Sequence, residues 1–344
     1  MTMKKRIITL ALAVLMLTGC AMRRESGEPI YEVTYWDLFD TVTVIKGPAE
    51  SKEAFDELAQ SVHDELARYH RLFDIYNDYE SMNNLKLVND LAGIAPVTVD
   101  SAIIELLKDC RFYYDLTDGK VDVTMGSVLR LWHEAREAGI SDPANAHLPD
   151  PAALEAAGQH RGFDRVLIDE AACTVYLSDP ELRLDVGAVA KGWAAQKVAE
   201  QLPEYMLLTV GGNVCATGPK NAGGTPWVIG VQNPDSTGEP YLHTLNVTGG
   251  SYVTSGDYQR AYTVAGEIYH HIIDPQTLMP ARYWRSVTIV CEDSGLADAL
   301  STALFVLPQA EGQALLDRCG AMALWVDGDG NVCYSSGFQE IIRR

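Results

Sequence analysis

The sequence predicts an α+β protein with a helical front and a second half rich in antiparallel strands. Three observations carry this. Between Ser51 and Asp74 the apolar positions Phe55, Leu58, Val62, Leu66, Tyr69 and Phe73 recur at spacings of three and four, as on a long amphipathic helix. After about residue 165, short alternating or β-branched runs follow one another between Gly, Pro, Asn and Asp. Near the end, Asp-Gly-Asp-Gly divides two alternating runs in AMALWVDGDGNVCYSS, which is hairpin chemistry.

The elements follow in order. MTMKKR, the apolar run IITLALAVLML and Leu17-Thr18-Gly19-Cys20 read as a lipoprotein signal over residues 1–19, with Cys20 as the lipidated mature N-terminus. An uncleaved anchor is the alternative, although the run is short for a membrane span. Either way the body of the chain is expected on the outer face of the cytoplasmic membrane. Residues 20–30 read as a tether and 31–344 as the folded domain. YEVTYWDLFDTVTVIKG alternates like a strand. A second helix covers 101–115, and VDVTMGSVLRLWHEAREAG is a turn entering a third that ends near Gly139. SDPANAHLPDPAALEAAG is a surface loop with a short helix. Strands are expected at RVLID, TVYLS, YMLLTVGGNVCAT, WVIGVQNP, LHTLNV, SYVTS, RAYTVAG, YHHIID and SVTIVC, with helices from Lys191 and over 294–305 and 309–318.

Composition sets the partners. The 344 residues hold 47 acidic against 27 basic side chains, a formal net charge of −20. Removing the leader takes away Lys4, Lys5 and Arg6 and no acid, so the mature chain is more acidic still. That balance excludes nucleic acid and anionic lipid as electrostatic partners. An anionic ligand has to be captured by local groups or through a divalent cation. Beyond Cys20, the cysteines Cys110, Cys173, Cys215, Cys291, Cys319 and Cys333 are scattered without a CxxC pair, which favours buried thiols or at most one or two disulfides over a zinc site.

Five stretches can carry chemistry. In RLDVGAVAKGWAAQ, Asp185 closes an apolar run, Gly187 allows a tight turn, and Lys191 stands in the first turn of a helix. Cations favour the other end of a helix, so this lysine asks for an anion such as phosphate beside it. An N-capping Asp with a solvated Lys is the plain alternative. In GLADALSTALFVL, Asp298 and Thr302 are four apart on a helix and can present oxygens to Mg²⁺; a capping Asp would look the same. In YHHIIDP, strand geometry would send His270 and His271 to opposite faces, so only one serves a given site. VGGNVCATG and TSGDYQRAY place Gly212 with Asn213, and Ser255 with Gly256, at strand ends where backbone can approach a flat ligand, or where ordinary turns lie. DGKVDVTMGSVLRLW offers Lys120, Val121, Asp122 and Thr124 ahead of a helix, or simply its cap.

Taken in order, FDTV (39–42), GKVDVTMGSVLRLW (119–132), LDVGAVAKGWAAQ (184–196), GGN (211–213), TSGDYQR (254–260), HHIIDP (270–275) and ADALSTALFV (297–306) resemble the ApbE-type FAD:protein FMN transferases. The match runs from about Trp36 to the C-terminus. The resemblance implies a T-fold-like α+β architecture with FAD in a cleft between two interleaved subdomains. It also implies Mg²⁺ on the pyrophosphate, transfer of FMN to a Ser or Thr hydroxyl of a target flavoprotein, and release of AMP. Carried onto this chain, the metal ligands are the carbonyl of Ala188 with Asp298 and Thr302. Cofactor contacts fall at Phe39, Lys120, Val121, Asp122, Asp185, Lys191, Gly212, Asn213, Ser255, Gly256, and His271 or Ile273. Asp40 stands where the family usually has Gly. A base must accept the hydroxyl proton; His271 is favoured, with Asp257 or Asp274 as alternatives.

Some relatives hydrolyse FAD instead, with a second metal where the others place a tyrosine. Tyr76 in FDIYNDYESMNN stands at about that point, which favours transfer. A non-catalytic flavin-binding lipoprotein is the other reading. Family targets resemble membrane subunits of sodium-pumping quinone reductases and Rnf-type complexes, or extracellular flavoproteins, bearing an exposed Ser/Thr motif.

Overall fold

The computed structural model describes residues 28–235 and 238–343, so the leader, Cys20 and most of the tether lie outside the described residues. In chain order the first half comprises β1 (Ile30–Leu38), β2 (Thr41–Pro48), α1 (Lys52–Phe73), α2 (Leu85–Asp90), β3 (Val97–Thr98), α3 (Ser101–Leu116), α4 (Gly126–Ser141), α5 (Pro151–Gly158), β4 (Val166–Asp169) and β5 (Thr174–Leu177). The second comprises α6 (Ala190–Ala199), β6 (Leu207–Val210), β7 (Asn213–Ala216), β8 (Trp227–Gln232), β9 (Tyr241–Val247), β10 (Gly250–Gly256), β11 (Tyr262–Val264), β12 (Glu267–Tyr269), β13 (Ser286–Cys291), α7 (Ser294–Phe305), α8 (Gln309–Cys319), β14 (Met322–Val326) and β15 (Val332–Tyr334).

An antiparallel sheet of order β1-β2-β6-β7-β10-β13-β14-β15 organises the molecule. Its central strands are apolar on both faces because both are covered; β13 is buried at every position except its last. On one face α6 and α7 lie side by side over β7, β10 and β13. Ala194, Leu300 and Leu304 there bury Leu208, Val253 and Ile289 completely or nearly so. Helix α1 completes this layer, with Tyr69 and Phe73 packing edge-on against Trp193 at 5.3 and 5.5 Å. On the other face the β8–β9 hairpin and Phe338 close a second core around Trp227, Leu245 and Tyr252. A third, smaller cluster joins α4 to the β11–β12 hairpin through Trp132, Tyr262 and Ile273.

Three expectations change. The run 31–47 is not one strand but β1 and β2 around a two-residue turn, because Phe39 and Asp40 both take left-handed φ values of 52° and 53°. That pair of positive φ angles is what a tight hairpin requires, and alternation continues across it, which hid the turn. YHHIID is not a strand throughout: β12 stops at Tyr269, and His270–Asp274 is irregular apart from a bridge between Ile273 and Pro280. Helix α2 was not expected, since its six residues are too few to show periodicity; Asn84 caps it by accepting from Leu87 N–H at 3.2 Å.

The six cysteines from Cys110 onward are free thiols, with Cys110 and Cys215 buried. Among the described residues no helix is long and apolar enough to cross a membrane.

Candidate active site

The site is assembled where four distant segments meet. Residues 183–185 run beside 123–126: Met125 bridges Arg183 in parallel, Asp185 N–H donates to Val123 O at 2.8 Å, and Gly126 N–H to Arg183 O at 2.9 Å. A Cβ at Gly126 would lie 2.5 Å from that carbonyl, so glycine is required for the approach. This juxtaposition carries Asp122 and Asp185 to one floor. Asp122 Oδ1 accepts from the Thr124 N–H at 2.9 Å, and Asp185 Oδ1 from the Gly187 N–H at 2.9 Å, so each carboxylate shapes its own turn. Burial raises both carboxyls above the usual carboxylate range.

From that floor the chain enters α6, and α6 meets α7. Gly192 N–H donates to Asp298 Oδ2 at 2.8 Å in a buried bond. A Cβ on Gly192 would sit 2.3 Å from Ser294 O and 2.4 Å from Asp298 Cβ, so only glycine lets the helices come this close. Asp298 is 4% exposed. Burial raises its carboxyl, while Lys191, the Gly192 N–H and the Asn213 amide lower it again. One turn on, Thr302 lines the cleft together with Ala188.

The cleft has two lobes, which share Tyr76, Asp185, Gly187 and Arg260. The first is walled by aromatic and apolar groups including Trp132, Tyr262, Tyr269 and Ile273, with Lys120, Val121, Asp122 and His271. The second contains Phe39, Asp40, His70, Phe73, Asn77 and Lys191. Phe39 is held from behind: its N–H donates to His70 Nδ1 at 3.2 Å, and the two rings meet edge-on at 5.3 Å. Tyr76 lies over the waist against His133, ring centroids 5.3 Å apart. Burial and the nearby Asp185 charge push its phenol up to about 12, so it stays protonated.

The two histidines separate as strand geometry suggested, although not on a strand. His270 is 8% exposed; its Nε2–H donates to Ala281 O at 2.8 Å and its Nδ1 accepts from Ile272 N–H at 3.2 Å. Both nitrogens are used in the core. His271 Nδ1 lies 3.1 Å from Gln259 O, an atom that can only accept, so the proton sits on Nδ1 and Nε2 keeps its lone pair. Burial, with Arg260, His270 and Lys191 adding to it, drives the imidazole down to about 3, so it is neutral over the whole working range.

Of the sequence-derived candidates, Phe39, Tyr76, Lys120, Val121, Asp122, Asp185, Ala188, Lys191, His271, Ile273 and Thr302 all line the two lobes. Asp298 lines neither lobe; it is buried at the α6–α7 junction, where it accepts from Gly192 N–H, one helical turn before the cleft residue Thr302. Gly212, Asn213, Ser255 and Gly256 do not line either lobe. Gly212 opens on a neighbouring cavity under the β8–β9 hairpin. Asn213 is buried and aims its amide at Gly192 and Asp298. Ser255 Oγ bonds Ser301 Oγ at 2.8 Å, and Ser301 Oγ donates to Asp298 O at 2.8 Å, so it steadies α7 from beneath. Gly256 makes room for the Tyr258 ring. Asp257 pairs with Arg285 at 3.6 Å, and Asp274 Oδ1 accepts from Gln276 N–H at 2.9 Å, so both carboxylates serve their own loops.

Sequence reasoning missed His70, His133, Arg136 and Arg260. The first three sit on helices whose apolar stripes drew attention, and a basic residue beside such a stripe (Trp132 next to His133) was the available signal. The overall acidity of the chain hid a local fact: among the described residues Lys120, Lys191 and Arg260 face the cleft without an ion-pair partner.

A magnesium ion fits the residues present. Asp298 is a buried carboxylate whose direct hydrogen bond is to a neutral N–H, and a carbonyl at Ala188 and a hydroxyl at Thr302 border the cleft beside it. These are hard oxygen donors, few enough to leave positions for phosphate and water.

Known proteins resemble this chain in sequence and fold. The ApbE family model matches residues 30–325. The FAD:protein FMN transferase of Treponema pallidum is 34% identical over 277 residues, 75% of each chain, and that of Klebsiella pneumoniae is 30% identical, covering 80% of this chain and 86% of the relative. The crystal structure of the ApbE protein from Thermotoga maritima superposes with a TM-score of 0.80 at 31% identity, covering 92% of this chain and all of the other. The flavin transferase ApbE of Vibrio cholerae, at 24% identity and a TM-score of 0.74, shares the fold. With the cleft, its floor and the α6–α7 junction in place, the match over nearly the whole described chain identifies this protein as a member of the ApbE family.

Proposed function

We propose that the chain transfers FMN from FAD to a Ser or Thr hydroxyl of a target flavoprotein, releasing AMP, with Mg²⁺ required. The observation that carries this is a cleft whose cations Lys120, Lys191 and Arg260 have no ion-pair partner among the described residues, with His271 in its wall, its Nε2 left as acceptor by the Nδ1–Gln259 O bond. A dinucleotide has two planar ends and an anionic waist, and the two lobes meet at a waist bearing Arg260 and, near it, Lys191.

Bound Mg²⁺ would supply charge neutralisation on the diphosphate oxygens and be held by Ala188 O, Asp298 and Thr302. Lys191, in the first turn of α6, adds a positive charge where helix N–H groups already favour an anion. Tyr76 covers the waist and keeps water from the phosphorus. His271 Nε2 accepts the proton of the acceptor hydroxyl while Gln259 O fixes its ring. Phosphoryl transfer needs little covalent help beyond such positioning and charge stabilisation.

The lipid anchor at Cys20, the location outside the cytoplasmic membrane and the acceptor class belong to the same reading. A protein tethered at that surface would act on the extracytoplasmic flavin-bearing subunits of quinone-reductase or Rnf-type complexes, or on extracellular flavoproteins. FAD hydrolysis is the competing activity, disfavoured by Tyr76 over the waist. Incubation with FAD, Mg²⁺ and a flavin-free acceptor subunit of a sodium-pumping quinone reductase, its target Ser or Thr hydroxyl unmodified, separates the outcomes. AMP with flavin bound to the acceptor supports transfer; AMP with free FMN points to hydrolysis; no AMP points to a binding protein.

A further inference from the structure

Arg260 combines properties that no other described cation of the cleft shares. It lines both lobes, whereas Lys120 lines only the first and Lys191 only the second. Its side chain is exposed and has no ion-pair partner among the described residues. Its backbone holds φ 45°, a left-handed value uncommon for a long side chain. The loop that imposes this value is anchored at its start, where Asp257 N–H donates to Arg285 O at 2.9 Å. Gln259, the residue before Arg260, supplies the carbonyl that orients His271 at 3.1 Å. One loop therefore fixes the ring of the base and presents a guanidinium across the waist. The positive charge is felt at Tyr76, Asp185 and His271, all of which it favours in their less positive or more negative forms.

We propose that Arg260 is a catalytic residue whose guanidinium stabilises the charge that develops as the phosphoryl group leaves the FAD diphosphate. This rests on the transferase reading above. In the step, the acceptor hydroxyl oxygen forms a bond to the FMN phosphorus and the link from that phosphorus to the AMP phosphate breaks. The hydroxyl proton passes to His271 Nε2, and AMP departs as its phosphate monoester. The planar guanidinium fork can hold one oxygen on each phosphate while the bond between them lengthens, which an ammonium cannot do equally well.

The test uses the full chain and its Arg260→Ala and Arg260→Lys variants with FAD, Mg²⁺ and a flavin-free quinone-reductase acceptor subunit. Single-turnover AMP release is measured at saturating FAD, and FAD affinity separately from flavin fluorescence. Arg260→Ala is expected to lose about 10³-fold in rate, in the range of other arginines that stabilise phosphoryl transfer, with FAD affinity changed less than about tenfold. Arg260→Lys recovers part of the rate, and guanidinium in the buffer rescues the alanine variant but not the parent. A rate within about threefold of the parent at saturating FAD, with or without weaker binding, overturns the assignment and makes Arg260 at most a binding residue. A parent chain that releases no AMP overturns the transferase reading itself, and this role with it.

Discussion

Gly192 and Asp298 stand 106 positions apart in the chain, yet the backbone N–H of one donates to the carboxylate of the other at 2.8 Å. This bond joins the turn and helix that carry Ala188 and Lys191 to the helix that carries Thr302, and the metal assignment depends on it.

Gly192→Ala should therefore damage both fold and site. Its methyl would overlap Ser294 O and Asp298 Cβ, and overpacking of this kind costs about 1–3 kcal/mol. A thermal melt should show a lowered midpoint, and flavin transfer below that midpoint should fall by more than the folded fraction does. An unchanged melt would mean that α6 and α7 are farther apart.

Asp298→Asn keeps the shape and the acceptor for Gly192 N–H while removing the charge. Turnover should be abolished and circular dichroism unchanged. Transfer at the parental rate would show that the carboxylate holds no metal.

His271→Ala should lower the transfer rate and retain FAD binding. The parent also makes a pH prediction. The imidazole is depressed from its ordinary value to about 3 in the fold, so between about pH 6.5 and pH 3 the unfolded chain binds the extra proton. Its contribution to stability is complete above that window and is lost as pH falls through it. Denaturant titrations at pH 7.5 and 5 should show a smaller loss for His271→Ala than for the parent. Equal losses would mean that the ring is solvated and ordinary.

Tyr76→Ala opens the waist. The fraction of AMP produced with free FMN, rather than with acceptor-bound flavin, should rise several-fold, read by chromatography of the small molecules beside fluorescence of the protein band. An unaltered partition would remove Tyr76 as the barrier to water.

Much of this was legible in the residues. Apolar spacing located α1, α3 and α7 to within a residue or two, because α1 and α3 carry a long one-sided stripe and α7 a nearly continuous apolar run that is buried almost all round. The Asp298/Thr302 pair was visible as two oxygens one helical turn apart, and Asp185 with Lys191 as a turn entering a helix. What the sequence could not show was depth and partnership. Gly212 and Ser255 look like ligand-approaching residues in a linear motif, but in space Gly212 opens on another cavity and Ser255 braces Ser301. His70, from the last turn of the sequence's most regular helix, became relevant only when the Phe39–Asp40 turn folded over it. Arg260 was quoted in a motif and passed over because its importance lies in lacking a partner, which only three dimensions reveal.

Diffraction from crystals of the protein grown with FAD and Mn²⁺ in place of Mg²⁺ tests the central assignment most directly. An anomalous peak should lie in contact with Ala188 O, Asp298 and Thr302 and with the diphosphate of an FAD spanning both lobes. A manganese peak elsewhere, or a dinucleotide bound outside the cleft, would contradict it.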